Sequence, residues 1–136
     1  MNDQKIIIYA DGGSRGNPGP SACGVVLKDA TGMVISNHSK YLGEATNNQA
    51  EYNGGILGLT EALKITNGEI DFYLDSLLAV NQLNQTFKVK NAGIQTLFVK
   101  AWNLSVKFKK VKFFHIPREQ NKEADKLVNI ELDNNK

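Results

Sequence analysis

Apolar and polar positions change rhythm several times along the chain, and each rhythm predicts an element. Lys5 to Ala10 is rich in β-branched residues and stops at Asp11-Gly12-Gly13, a strand entering a tight loop that Gly16-Asn17-Pro18-Gly19-Pro20 continues. Gly24-Val25-Val26-Leu27 and Met33-Val34-Ile35 flank the turn-like Asp29-Ala30-Thr31-Gly32 and predict a hairpin. Thr46-Asn47-Asn48-Gln49 has capping-box spacing, in which a Thr hydroxyl and a Gln side chain satisfy the first free amides of a helix, predicted here over 47–65. Along that helix Glu51, Gly55, Gly58 and Ala62 recur on one face. A glycine inside a helix costs about 1 kcal/mol relative to alanine. A row of them therefore predicts close approach to a sheet, with Glu51 turned toward the protein.

Farther along, Ile70 to Leu74 predicts a short strand ending at Asp75, and Ser76 caps a helix reaching about Asn84. Ile94, Leu97, Phe98, Ala101 and Trp102 follow helical spacing, which places Trp102 in the core. Val111 to Ile116 is another strand, broken by Pro117, and Asn121 opens a last helix bearing Ala124, Leu127, Val128 and Leu132. Three early strands followed by alternating helices and strands predict an α/β sheet with an antiparallel half and parallel crossovers, its faces covered by helices. With 136 residues, 41% of them apolar, and no repeat or linker, the chain reads as one domain over residues 1–136.

The net charge of +2 says little, but its distribution says more. Between Asp75 and Glu119 there is no acid, while Lys88, Lys90, Lys100, Lys107, Lys109, Lys110, Lys112 and Arg118 all lie there. This segment is expected to supply the main electrostatic contact with phosphates, Lys107, Lys109 and Lys110 foremost; the alternative is a merely solubilising face. Cys23 has no disulfide partner and no Cys/His spacing supports zinc, so a reducing compartment, the cytoplasm, is expected. The longest N-terminal apolar run is too short for a membrane span. Cys23 reads as a buried small residue, His38 as a surface histidine and His115 as a structural strand residue.

The chemistry lies in the acids. Asp11 and Asp75 each end a predicted strand, the edge where open α/β sheets place their sites. Glu51 approaches on the small-residue face of its helix, and Asp125 falls early in the last one. Carboxylates gathered at one edge repel one another unless a cation joins them. Oxygen donors alone favour magnesium or manganese over zinc, and two such ions suit phosphodiester cleavage. The glycine-rich loop does not read as a phosphate cradle, for neither GxxxxGK[ST] nor a strand-loop-helix GxGxxG is present.

At these residues the chain resembles the type 1 ribonuclease H family. Tyr9-Ala10-Asp11-Gly12-Gly13-Ser14-Arg15-Gly16-Asn17-Pro18-Gly19-Pro20 is similar to its first motif, and Thr46-Asn47-Asn48-Gln49-Ala50-Glu51 to its second. Leu74-Asp75-Ser76 is similar to the third, and Pro117-Arg118-Glu119-Gln120-Asn121 through Ala124-Asp125 to the last. The resemblance implies a ribonuclease H-like fold, a five-stranded mixed sheet of three antiparallel and two parallel strands flanked by helices. It also implies metal-dependent cleavage of the RNA strand of RNA/DNA hybrids to 3′-hydroxyl and 5′-phosphate ends, by a monomer. Two Mg2+ ions, replaceable by Mn2+, would be held by Asp11, Glu51, Asp75 and Asp125. Ser14, Gly16, Asn17, Asn47 and Glu51 would meet RNA sugars, and Thr46 and Asn48 a DNA phosphate. Three features depart from the family pattern. Leu77 stands where many relatives carry Gln, the loop before Asp125 lacks a product-releasing His, and no Trp-rich basic insertion is present. The alternatives are a catalytically silent nucleic-acid-binding module and a broader nuclease that also cuts duplex RNA.

Overall fold

The computed structural model describes residues 3–84 and 88–136. Its five strands form one mixed sheet in the order β3-β2-β1-β4-β5. The first three, β1 (Ile6–Ser14), β2 (Gly19–Asp29) and β3 (Val34–Ala45), are antiparallel. β4 (Glu69–Leu74) and β5 (Lys110–His115) extend the sheet in parallel beside β1. The helices are α1 (Asn47–Leu63), α2 (Leu77–Leu83), α3 (Ala92–Ser105) and α4 (Lys122–Asn134). Among the described residues no helix is long and apolar enough to cross a membrane.

Two strands outrun their sequence signals. β1 does not stop at Ala10: Asp11 to Ser14 stay paired with β2, up to Ser14↔Ser21, although the parallel ladder with β4 ends at Ala10↔Leu74. The glycines here are strand, kept extended by β2. β3 covers twelve residues where only Met33 to Ile35 read as strand. It is an edge strand, largely exposed, and its polar run Ser36-Asn37-His38-Ser39-Lys40 has no apolar alternation to betray it; the backbone ladder to β2 defines it.

α1 packs on β1 through close backbone approach, but the glycine row is not the expected one. A Cβ on Gly58 would lie 2.8 Å from Phe72 Cζ and 3.0 Å from Ile8 Cγ2, and one on Gly54 would lie 3.0 Å from the Asp11 carbonyl oxygen. At Gly55 a Cβ would meet nothing within 4 Å. The row facing the sheet therefore runs through Gly54 and Gly58. Between this helix and the sheet lies the main core, with Ile6, Ile8, Tyr52, Leu59, Ile70 and Phe72.

α3 packs against α1, burying Ile94 and Ala101. Trp102, one residue past Ala101, is rotated about 100° away and stands exposed beside Val99 and Val106, contrary to its expected core position. On the other face α4 covers β1, β2 and β3, where Val128 and Leu132 meet Ala22. That cover is partial. Across β1, β4 and β5 a row of rings remains partly exposed, Tyr9 stacking on Tyr73 at 5.0 Å and Tyr73 on Phe114 at 5.2 Å between centroids. Cys23 is fully buried, and burial pushes its thiol up to about 12. His38 is half-buried and ties β3 to α1, 2.9 Å from Ser36 Oγ and 3.5 Å from Glu61. His115 is exposed at the end of β5.

Candidate active site

The parallel ladder between β1 and β4 ends level at Ala10↔Leu74, so the next residue of each strand, Asp11 and Asp75, emerges side by side at the carboxyl edge. Glu51 arrives from α1, whose start is fixed by the predicted capping box: Gln49 N–H donates to Thr46 Oγ1 at 3.1 Å, and Thr46 N–H to Gln49 Oε1 at 2.9 Å. α1 then passes so near β1 that a Cβ on Gly12 would run into the Ala50 carbonyl. The Gly12 N–H donates to both Asp11 Oδ1, at 2.9 Å, and Glu51 Oε1, at 3.0 Å, and fixes the two carboxylates together. One oxygen each from Asp11, Glu51 and Asp75 falls within a 4.8 Å set. Asp125, in the first turn of α4, faces the same cleft but lies outside that set, 3.9 Å from the Arg118 guanidinium.

Burial dominates the electrostatics. It pushes the Asp11 carboxyl up to about 7, helped by the charges of Asp75 and Asp125, while the bond to Glu51 opposes the rise. Glu51 is driven well above the usual carboxylate range, first by burial and then by the charge of Asp11. Its Oε2 is buried with no hydrogen-bond partner. Oxygen-only donors, two carboxyls disfavoured as anions and a buried lone pair without a donor together fit a hard divalent cation.

The cleft above these acids measures about 580 Å3 and includes Ser14, Arg15, Asn47 and Asn48 in its wall. Asn47 Oδ1 accepts from Ser14 N–H at 2.9 Å, and Asn47 N–H donates to Asn17 Oδ1 at 3.0 Å, which joins the end of β1, the following loop and the start of α1. Ser14 Oγ also donates to the Gly16 and Ala45 carbonyls. Gly16, Asn17 and Thr46 are not part of this wall; the Thr46 hydroxyl is engaged in capping α1. Leu78 and Asn129 also line the cleft and had no sequence signal, whereas Arg15 and Arg118, which line it too, fall within the first and last motifs. Arg15 is held by Asp133 at 2.8 Å and by Asn129 at 3.3 Å, partners more than a hundred residues away in sequence.

Sheet order and acidic edge together define the ribonuclease H class of α/β fold. The family described as reverse transcriptase-like matches residues 9–130. The N-terminal ribonuclease H domain of a Mycobacterium tuberculosis protein superposes with a TM-score of 0.93 at 40% identity, over 96% of this chain and 94% of that one. Ribonuclease H1 of Halobacterium salinarum gives 0.93 at 36% identity, over 96% and 98%. A compost-derived ribonuclease H1, solved in complex with an RNA/DNA hybrid, gives 0.90 at 40% identity, over 95% and 97%. The chain belongs to the type 1 ribonuclease H family. It spans 36% of the length of a bifunctional mycobacterial relative to which it is 42% identical over 130 residues.

Proposed function

We propose that this protein is an endonuclease that hydrolyses the RNA strand of RNA/DNA hybrids to 3′-hydroxyl and 5′-phosphate ends. The observation that carries the reading is the trio of Asp11, Glu51 and Asp75 at the end of the central parallel pair, with oxygens within 4.8 Å of one another. A relative 40% identical binds an RNA/DNA hybrid, which supports this substrate. In this reading Asp11, Glu51, Asp75 and Asp125 hold two divalent ions, Mg2+ or Mn2+. Such ions, when bound, activate the attacking water and stabilise the leaving oxygen. The protein's own part is positional. Gly12 N–H fixes the spacing of Asp11 and Glu51, and burial keeps the acids poised to exchange a proton for a cation. Ser14, Gly16, Asn17 and Asn47 form a hydrogen-bonded rim suited to ribose 2′-hydroxyls, the groups that distinguish RNA from DNA. Thr46 and Asn48, at the start of α1, are assigned to a phosphate of the DNA strand.

The test is gel analysis of end-labelled RNA/DNA, RNA/RNA and DNA/DNA duplexes with Mg2+, with Mn2+ and with chelator. Cleavage of RNA in the hybrid that stops with chelator, and falls by several orders of magnitude in Asp75→Asn while hybrid binding persists, is expected. Comparable cleavage by the pure mutant would sink the two-metal assignment. Cleavage of RNA/RNA as well would widen the substrate class, and binding without cleavage would identify a silent module.

A further inference from the structure

Asn121 has a place in the fold that its role as the residue before α4 does not explain. Its side chain does not cap the helix. It is instead turned inward, with the residue only 1% exposed, and its Nδ2 donates twice: to the Ala10 carbonyl at 2.8 Å and to Asp75 Oδ2 at 3.1 Å. Ala10↔Leu74 is the last pair of the β1–β4 ladder, so the Ala10 carbonyl lies where the two strands part company. The Asn121 amide fills that opening. Its own carbonyl also accepts from Asp125 N–H at 3.1 Å. One residue thus touches the strand just before Asp11, the carboxylate of Asp75 and the backbone that carries Asp125.

The orientation of this amide is determined by its neighbours. A flipped side chain would put Oδ1 against two acceptors, the Ala10 carbonyl and a carboxylate. As placed, Oδ1 is buried without a partner, a penalty that a purely structural plug, such as an apolar side chain of similar volume, would not carry.

We infer that Asn121 is a positioning residue for the metal site: its amide anchors Asp75 through Oδ2, leaving Oδ1 to face the cation, and sets the spacing of Asp11, Asp75 and Asp125. The inference rests on the metal-dependent reading of the site. Groups that orient metal ligands in this way typically change metal affinity about 10- to 100-fold when removed.

The test uses Asn121→Leu, which keeps the branched shape in a somewhat larger side chain and removes both donors, and Asn121→Ser, which is shorter and retains a hydroxyl. Both are compared with wild type at low temperature, after circular dichroism has established that they are folded. Mn2+ affinity is measured by titration calorimetry without nucleic acid, and kcat and KM on an RNA/DNA hybrid are measured across Mg2+ concentration. The expected result is Mn2+ affinity weakened about 10- to 100-fold in Asn121→Leu and less in Asn121→Ser. kcat should fall most at low Mg2+ and recover in part as Mg2+ is raised, with KM for the hybrid within about twofold of wild type. Unaltered Mn2+ affinity and Mg2+ dependence in whichever variant folds, with only the urea midpoint lowered, would overturn the inference and leave Asn121 a structural plug. Failure of wild type itself to bind Mn2+ or to cut the hybrid would instead remove the functional reading beneath it.

Discussion

At the scale of single residues, the site stores repulsion that has a measurable sign. The Asp11 carboxyl rises from 3.8 to about 7 because burial, then the charges of Asp75 and Asp125, disfavour its anion. Between those two values the folded protein binds more protons than the unfolded chain, so its stability falls as pH rises across the window and the full cost remains above about pH 7. Metal-free protein should therefore be more stable to urea at pH 5 than at pH 8. Asp11→Asn should flatten that slope and stabilise the metal-free protein at pH 8 by about 1–2 kcal/mol. On the proposed metal reading, magnesium binds the folded state preferentially and should stabilise wild type more than the mutant. A mutant less stable than wild type in chelator, with no magnesium effect on wild type, would show that these acids do not form one site. The candidate ligands were legible because a strand-end aspartate and a helix-borne glutamate leave local signatures. The inward amide of Asn121 and the Asp133 tether of Arg15 left none, because each depends on a partner brought close only by the fold.

Among the elements, α1 shows what the sequence discloses and what it withholds. Its start was readable, since the Thr46–Gln49 capping box is local chemistry; its packing face was readable only to within one position, because adjacent Gly54 and Gly55 differ by about 100° around the axis. Gly54 and Gly58 face the sheet, and Gly55 does not. This distinction predicts opposite outcomes for the same substitution. Gly55→Ala gains helix propensity without a clash and should stabilise the protein by up to about 1 kcal/mol. Gly58→Ala gains the same propensity, but its methyl would press on Phe72 and Ile8 in a fully packed core, and overpacking of this kind costs about 1–3 kcal/mol. Urea midpoints of the two variants should fall on opposite sides of wild type; equal shifts would contradict the assigned face. β3 was hidden for a different reason. An edge strand with little burial has no apolar alternation for a pattern to detect, and its length follows from the length of β2.

Over the whole molecule, sheet direction divides the lysine-rich segment that the sequence presents as one feature. β4 and β5 run parallel, so the carboxyl edge bearing Asp75 lies beside His115, whereas Lys110 starts β5 at the opposite end. Five residues at about 3.3 Å each separate the two levels by about 16 Å, beyond a Debye length of about 8 Å at physiological salt. Lys107 and Lys109 lie still nearer that far end, Lys109 N–H donating to the Asn67 carbonyl just before β4. The other half of the segment is placed differently. α3 begins beside the start of α1, where a Cβ on Gly93 would lie 3.4 Å from Gln49 Nε2; of the exposed lysines that precede it, Lys88 lies along α3 beside Gln95, Phe98 and Trp102. Lys107, Lys109 and Lys110, expected from sequence to carry the phosphate interaction, thus start from the end of β5 away from the acids, and the salt dependence of binding weighs them against Lys88 and Lys90. Replacing Lys88 and Lys90 with Gln should weaken hybrid binding and reduce the slope of log affinity against log salt by about 1 for each phosphate that is no longer neutralised. The triple replacement of Lys107, Lys109 and Lys110 with Gln should leave that slope within error of wild type. Fluorescence anisotropy of a labelled hybrid over a salt series, with calcium replacing magnesium to prevent cleavage, reads both. A reduced slope in the triple variant with none in the double would mean that the hybrid lies along the length of β5 and not across its carboxyl edge.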